Sequence, residues 1–250
     1  ELIHEEALNV WDPRTTGSTR FEMELMADIM GEKRSSFATL QHQGKIYVIA
    51  GHKGFEHTYP KESFSDEIHA YDIKSGKWRA LAAKPTPVHG VTAAAFGQYI
   101  YTFGGFAFEE SNNPKWKSVD VIERYDIENN TWTTIGRLPE PRSSNAIAVV
   151  GSKAFLIGGW DATPKHDGDK DGTFHSSIVV FDLQTEKVSY FKHQLPEPRR
   201  RAFTAVSVGD RIVIAGGITQ GGEHFNVLDE VLSLDPTSGQ WTTLPPLPFA

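Results

Sequence analysis

The feature that most constrains this chain is a sequence pattern that occurs four times. Its clearest copy spans residues 142–160, RSSNAIAVVGSKAFLIGGW, where an arginine precedes two short apolar segments that are joined by a glycine-containing turn and followed by a glycine doublet. The second position of this doublet recurs about every 55 residues, at Gly51, Gly105, Gly159 and Gly217. Repetition at this period indicates one structural unit for each copy.

Three further sequence features recur once per unit, as these glycines do. At a fixed distance before each glycine stands an arginine or, once, a valine: Arg34, Val88, Arg142 and Arg200. Each unit also contains an aromatic or apolar residue followed by aspartate, at Asp72, Asp126, Asp182 and Asp235. Tryptophan follows that aspartate in three units, at Trp78, Trp132 and Trp241, and Val188 takes its place in the third. Such agreement excludes chance.

Within each unit the pattern predicts four short strands. The first is rich in Ala, Val and Thr, as expected for a strand that is crowded on both faces. A tight turn leads to the second strand, a long loop to the third, and an Asp/Gly turn to the fourth. The second strand is predicted at 46–50 in the first unit and at 99–103 in the second. No segment shows a helical period. The chain is therefore predicted to be all-β.

Units of this length, with a glycine doublet and a late tryptophan, resemble the kelch repeats of β-propellers. The resemblance implies a single kelch-type β-propeller domain over residues 1–250, with four complete four-stranded blades at about 32–86, 87–140, 141–197 and 198–250. The departures are Ala50 in the first doublet, Val88 in place of arginine and Val188 in place of tryptophan.

The segment before the first complete unit is predicted to be the outer half of another blade. Residues 7–12, ALNVWD, resemble a third strand, and residues 21–25 alternate like a fourth, so the half-blade covers about 1–31. Its inner edge would be unpaired, which is an aggregation hazard. We therefore expect an incomplete domain that missing strands close into a ring of five blades, with six or seven blades left open as alternatives.

Composition excludes several classes of function. A net charge of −7 argues against an electrostatic nucleic-acid binder. The absence of cysteine excludes disulfides, thiolate metal sites and cysteine nucleophiles. No apolar run approaches the roughly 20 residues of a membrane-spanning helix. Neither a nucleic-acid partner nor a membrane is expected, and the compartment is not indicated.

Long, chemically varied loops follow the glycine doublets, at 52–66, 106–118, 160–176 and 218–229. Such loops on a rigid scaffold usually carry function. Strand alternation places them on the same face as the residues that open the inner strands. This loop face is the predicted functional surface.

The predicted ligand site is a ring around the mouth of the central channel. Guanidinium and hydroxyl groups suit a carboxylate or phosphate, and similarly placed arginines and serines grip acidic peptides in the kelch domains of ubiquitin-ligase adaptors. In the second blade His89 is expected to replace the arginine. The alternative is that a repeated arginine bonds backbone between blades. The candidate residues are Arg34, Ser35, Ser36, His89, Arg142, Ser143, Ser144, Trp160 and Arg200.

The third loop matches the first half of a calcium loop. Asp167, Asp169, Asp171 and Thr173 alternate as oxygen ligands, and glycine stands at the sixth position. Ile178 occupies the place of the usual final glutamate, so calcium would need a further oxygen donor such as Asp161. The alternative is a solvated acidic loop. The loop histidines are predicted to be surface residues and not zinc or iron ligands: His52, His57, His166, His175 and His224.

Two classes of function remain. The first is a binding module for an acidic peptide, a protein partner or a glycan, favoured because no catalytic constellation is visible. The second is an enzyme: sialic-acid mutarotases resemble this chain and act on an acidic sugar. Kelch-fold copper radical oxidases such as galactose oxidase need a cysteine, which is absent, and the iron site of nitrile-specifier proteins has no clear counterpart. Fold alone does not choose between the classes.

Overall fold

The computed structural model describes residues 28–55, 57–220 and 226–248. Apart from the short 3₁₀ turn Lys61–Ser63, regular structure in these residues is β-strand. They contain no helix able to span a membrane. The strands predicted for an N-terminal half-blade, at 7–12 and 21–25, lie outside the described residues.

Sixteen of the strands form four antiparallel sheets, each built from consecutive segments of chain. From inner to outer strand, the first blade is Ala38–His42, Lys45–Lys53, Phe64–Asp72 and Lys77–Ala80; the second is Thr92–Phe96, Tyr99–Phe103, Val121–Asp126 and Thr131–Arg137; the third is Ala146–Val150, Lys153–Ile157, Ile178–Asp182 and Lys187–Tyr190; the fourth is Thr204–Val208, Arg211–Ala215, Val231–Leu234 and Trp241–Leu244. A short strand, Arg34–Ser35, pairs with the end of Lys45–Lys53. The predicted all-β propeller architecture is confirmed.

The inner strands surround a central cavity of about 330 Å³. Their small side chains allow close approach around one axis, and Ala94, Ala146 and Ala148 are almost fully buried. Among the described residues, no arginine lines this cavity. Its lining comes from all four blades: Phe37, Ala38, Thr39, Val91, Thr92, Ala93, Asn145, Ala146, Ile147, Phe203, Thr204 and Ala205.

Successive blades pack face to face through three apolar clusters. Burial of one large apolar side chain stabilises the fold by about 2 kcal/mol, so these clusters are the main cohesive contribution. Each cluster contains buried side chains from two neighbouring blades, such as Ile49 and Tyr125 in the first, Phe103 and Leu156 in the second, and Phe155 and Ile214 in the third.

Two of the repeated tryptophans, Trp132 and Trp241, tie their blades to the preceding links. Trp132 Nε1 donates to the carbonyl oxygen of Ala82 at 2.8 Å, and Trp241 Nε1 donates to that of Gln194 at 3.0 Å. In the third blade Val188 packs into the apolar cluster without a polar group. The indole of Trp132 or Trp241 therefore adds a hydrogen bond to the preceding link. Val188 shows that apolar packing without this bond can fill the same position.

The glycine doublets are needed where the next blade passes closely. The Gly105 amide donates to the Arg142 carbonyl at 2.9 Å, and the Gly159 amide donates to the Arg200 carbonyl at 2.9 Å. Gly104 has a φ of 62°, and a Cβ there would lie 2.2 Å from the Arg142 oxygen. The doublet is thus a scaffold feature that joins neighbouring blades.

Candidate functional site

The loops after the glycine doublets meet the openings of the inner strands at one end of the propeller. Antiparallel bridges join His89 to Phe106, Ser143 to Trp160, and Arg201 to Ile218. Short hairpins extend three of the loops: Phe106–Phe108 with Trp116–Ser118, Trp160–Asp161 with Thr173–Phe174, and Ile218–Thr219 with Asn226–Val227. The predicted loop face is therefore a hydrogen-bonded surface.

Arg142 is fully buried and bonded within its own blade. Its Nη1 donates to the carbonyl oxygens of Gly158 at 3.1 Å and Ser177 at 3.3 Å, and its Nη2 donates to Glu140 Oε1 at 2.7 Å. Burial lowers the pKa of Arg142, whereas the Glu140 carboxylate raises it. The guanidinium thus ties the end of the second strand to the start of the third.

The other two repeated arginines have the same role. Arg200 is fully buried and pairs with Glu230, and the Arg34 side chain is 1% exposed and donates to Glu67 Oε2 at 2.7 Å. The prediction of an open arginine ring at the channel mouth was wrong, because each guanidinium is buried and bonds acceptors inside its own blade. The alternative of a scaffold arginine fits these contacts, except that the side-chain bonds lie within blades and not between them.

The second blade has Val88 at the arginine position, and a different buried ion pair lies elsewhere beside this blade. The side chains of Lys84 and Glu123 are both 0% exposed and pair directly. Lys84 Nζ also donates to the Thr86 carbonyl at 3.0 Å, and Thr86 Oγ1 donates to Glu123 Oε1 at 2.7 Å. Burial lowers the pKa of Lys84, and Glu123 opposes that effect. Nothing in the sequence pattern marked this pair.

His89 does not stand in for the missing arginine, since Val88 occupies that position. The bridges place His89 in the same register as Ser143 and Arg201, and Ser35 pairs with His52 in the equivalent way. The position after the arginine therefore holds Ser35, His89, Ser143 and Arg201 in the four blades. It is next to the loops and differs in chemistry from blade to blade, which is typical of a recognition surface.

Aromatic rings surround His89 at this face. Tyr59 and Phe64 stack on the imidazole at centroid distances of 5.5 and 5.3 Å, and the Phe106 ring lies 4.7 Å away. Burial lowers the pKa of His89 to about 3, with smaller contributions from His52 and Arg201. The imidazole is therefore neutral near pH 7 and belongs to an aromatic cluster.

Arg201 borders this cluster from the fourth blade. Its guanidinium carbon lies 4.5 Å from the centroid of the Trp160 ring and 5.9 Å from that of Phe174. Trp160 is partly buried and also stacks on Phe106 at 5.9 Å. Burial lowers the pKa of Arg201, and Tyr59 opposes that shift. Sequence reasoning missed Arg201 as a site residue, although it occupies the same register as Ser143.

The candidate serines have separate positions. Ser143 is fully buried, and its Oγ donates to the Trp160 carbonyl at 3.1 Å. Ser36 and Ser144 have positive φ angles of 52° and 51°, and backbone bonds link their positions around the channel: Gly90 N to Ser36 O, Ser144 N to Gly90 O, and Ala202 N to Ser144 O. Ser35 and Ser36 are exposed. The structure therefore gives the backbone of Ser36 and Ser144 a scaffold role.

The acidic third loop is organised by Asp169. Its side chain is buried, Oδ2 accepts from the Lys165 amide and Oδ1 from the Asp171 amide, each at 2.9 Å. These backbone bonds lower the pKa of Asp169. Within the described ranges, no three His, Asp or Glu side chains are grouped as a metal site requires. Calcium binding by Asp167, Asp169, Asp171 and Thr173 stays a prediction, and these contacts favour the alternative of an acidic loop without metal.

We expect Asp169→Ala to lower the melting temperature by the same amount in calcium and in EDTA, because the lost bonds are to backbone amides. Asp167→Ala, at an exposed neighbouring position, is the matched control and should change little. Thermal unfolding followed by circular dichroism measures both. A stabilisation by calcium that Asp169→Ala removes would establish the calcium site instead.

Two of the loop histidines are not surface residues. His52 and His175 are 6% and 7% exposed, and their Nε2 atoms lie 2.7 Å from the Thr58 carbonyl and 2.9 Å from the Pro141 carbonyl. Their prediction as exposed residues was wrong because backbone carbonyls bury and satisfy the rings. His57 and His166 are exposed as predicted, and His224 lies outside the described residues.

A family profile described as the KLHDC2/KLHL20/DRC7 Kelch-repeats domain matches residues 38–248. Kelch-like protein 35 of Mus musculus is 27% identical over 228 residues, which cover 89% of this chain and 33% of that protein. Kelch-like protein 25 of Xenopus tropicalis is 24% identical over 207 residues, or 82% and 31%. The chain thus spans about a third of these relatives.

Two further matches cover a larger share of the matched protein. Kelch-like protein terF of Aspergillus terreus is 28% identical over 249 residues, which cover 96% of this chain and 52% of that protein. The solved structure of YjhT superposes with a TM-score of 0.72 at 20% identity, covering 89% of this chain and 68% of that one. At this identity the structural likeness shows the fold alone.

Proposed function

The chain belongs to the kelch-repeat family of β-propellers, and from that premise we propose that its loop face binds an acidic segment of a protein partner. Kelch propellers are typically protein-interaction modules. The observation that carries the proposal is the partly buried Arg201 guanidinium held against Trp160 and Phe174 at this face.

The surroundings of Arg201 suit a carboxylate. A guanidinium that rests on aromatic faces is partly desolvated, so its attraction for an anion is stronger than in water. Arginine and large aromatic residues are also the side chains that dominate protein-binding energetics. Burial raises the pKa of Tyr59, which keeps its phenol neutral and able to donate to an acceptor. We therefore still propose an acidic ligand, but with Arg201 as the residue that binds it in place of the buried Arg34, Arg142 and Arg200.

A peptide is favoured over a glycan because of how Trp160 is used. Sugar recognition by tryptophan needs an open ring face, whereas Phe106 stacks on Trp160 and the Arg201 guanidinium lies over the same ring. These contacts leave less of the indole for a sugar. A carboxylate approaching Arg201 needs no open indole face.

The sialic-acid mutarotase alternative rested on an arginine-lined mouth, and Arg34, Arg142 and Arg200 are buried away from the channel. An NMR anomerisation assay with sialic acid separates the two functions. Exchange of the anomers that is faster with this protein than without it would contradict a pure binding role.

Arg201→Glu is expected to weaken binding of an acidic peptide by at least about tenfold, because it reverses the charge that faces the ligand. The peptide is first selected from an array of short sequences of graded Asp and Glu content, paired with Asn and Gln counterparts. Fluorescence anisotropy then measures its affinity for each variant.

The matched control for this experiment is Arg79→Glu, since Arg79 is an exposed arginine on an outer strand of the first blade. It should leave the affinity unchanged. Thermal unfolding confirms that both variants are folded. If folded Arg201→Glu binds the selected peptide as the wild type does, the proposed function is wrong.

A further inference from the structure

A groove of about 740 Å³ lies over the second blade, between the links to its two neighbours. Thr86 and Pro87 border it from one link and Pro141 from the other. Its lining is mainly apolar: Phe64, Ala107, Phe108, Val119 and Val121. A volume of this size accommodates several side chains or a small ligand.

The groove coincides with the absence of the repeated arginine. In the other blades that arginine reaches a residue at one register position in or directly before the third strand, namely Glu67, Ser177 or Glu230. The β-register places Val121 at the equivalent position, directly before Ile122, which pairs with Phe103. The second blade thus has Val88 and Val121 where its neighbours hold a long cation and its acceptor. Val121 lines the groove, and Val88 is fully buried.

The charged residues of the groove are mostly cationic, in a chain whose net charge is −7. Lys61, Lys117 and Arg137 line it together with a single acid, Asp120. Arg137 pairs with Asp120 at 2.5 Å, and Lys117 pairs with Glu109 at 2.7 Å. Within the described part of the chain Lys61 makes no ion pair, and it is exposed. The groove therefore combines an apolar lining with a cation available to a ligand.

We propose that this groove is a subsite for a bulky apolar side chain of the bound partner segment, with an acidic residue of that segment beside Lys61. The inference rests on the proposed function and specifies the partner chemistry further. Phe64 connects the two regions, since it lines the groove and stacks on His89 at 5.3 Å. One extended segment can therefore contact the groove and the Arg201 surface together.

Methyl NMR with three capped dipeptides tests the proposal directly. The probes are Ac-Glu-Phe-NH₂, its neutral analogue Ac-Gln-Phe-NH₂, and Ac-Glu-Ser-NH₂, which lacks the apolar side chain. We expect the first to shift the methyl resonances of Val119 and Val121, the second to require a severalfold higher concentration, and the third to leave them unchanged. Lys61→Gln should abolish the difference between the first two probes.

A variant that fills the groove supplies the control. Thr134 is exposed on the outer strand and lines the groove, so Thr134→Trp should abolish the shifts without disturbing the core. Thr133→Trp is matched, because the neighbouring residue of a strand points to the opposite face. It should leave the shifts intact.

The outcomes separate this inference from the proposed function. Absence of shifts at Val119 and Val121 with every probe, or shifts that persist in Thr134→Trp, would overturn the groove. If the dipeptides instead shift resonances only near Trp160 and Arg201, the groove is overturned and the proposed function stands. Shifts in the groove, together with wild-type peptide affinity of Arg201→Glu, support the groove and overturn the proposed function.

Discussion

Lys84→Met is expected to lower the free energy of unfolding by about 3–5 kcal/mol, because it leaves the Glu123 carboxylate buried without its cation. Both side chains are 0% exposed, and among the described residues only the Thr86 hydroxyl would still donate to the carboxylate. Chemical denaturation near pH 7 measures the loss.

Two controls identify the cause of that loss. Lys115→Met removes an exposed lysine that pairs with Glu110, and should change stability by no more than about 0.5 kcal/mol. The double variant Lys84→Met/Glu123→Leu should recover most of the stability, because a buried ion pair is often replaceable by apolar residues. A double variant as unstable as Lys84→Met would contradict the assignment.

Arg142→Met is expected to cost about 3 kcal/mol of stability and to leave peptide affinity unchanged. The guanidinium is fully buried, and its loss removes the donor to the Gly158 and Ser177 carbonyls. It also removes the cation beside the Glu140 carboxylate, which then accepts only from the Ser177 hydroxyl among the described residues. Denaturation and fluorescence anisotropy on the same preparation measure the two quantities.

Arg137→Met provides the comparison for this prediction. Arg137 is 73% exposed at the side chain and pairs with Asp120, so its loss should change stability little. Unchanged stability of Arg142→Met together with lost peptide binding would restore the arginine-lined mouth and contradict the scaffold role.

The fold followed from local signals that recur in every unit. The second strand of the second blade, Tyr99–Phe103, has the predicted bounds, because a glycine turn precedes it and a glycine doublet follows. The first blade departs from the prediction of 46–50 for its second strand, which extends over Lys45–Lys53. The extra residues pair with Arg34–Ser35 and Phe64, and such tertiary pairing leaves no periodic mark.

The site was less predictable because burial of a polar side chain depends on acceptors far away in sequence. An arginine before a strand has the same appearance in a sequence whether it faces solvent or, like Arg142, bonds Ser177 35 positions later. Lys84 and Glu123 likewise meet only in the folded blade. The loop face itself was predictable, since strand alternation alone placed the loops beside the strand openings.

The sequence alone did not show which of the adjacent residues Arg200 and Arg201 belongs to the proposed recognition surface. Arg200 aligns with the buried arginines and Arg201 with His89 and Ser143, so a run of three arginines concealed which one faces the aromatic cluster. The bridge between Arg201 and Ile218 and the full burial of Arg200 against Glu230 distinguish them in the structure. We therefore propose the position after the repeated arginine as the recognition position.

The most direct test of this assignment compares Arg201→Glu with Arg142→Met, using one acidic peptide selected from the array and fluorescence anisotropy at a temperature where both variants are folded. The account predicts a loss of at least about tenfold in affinity for Arg201→Glu and wild-type affinity for Arg142→Met. Wild-type affinity for Arg201→Glu together with lost binding for Arg142→Met would contradict it.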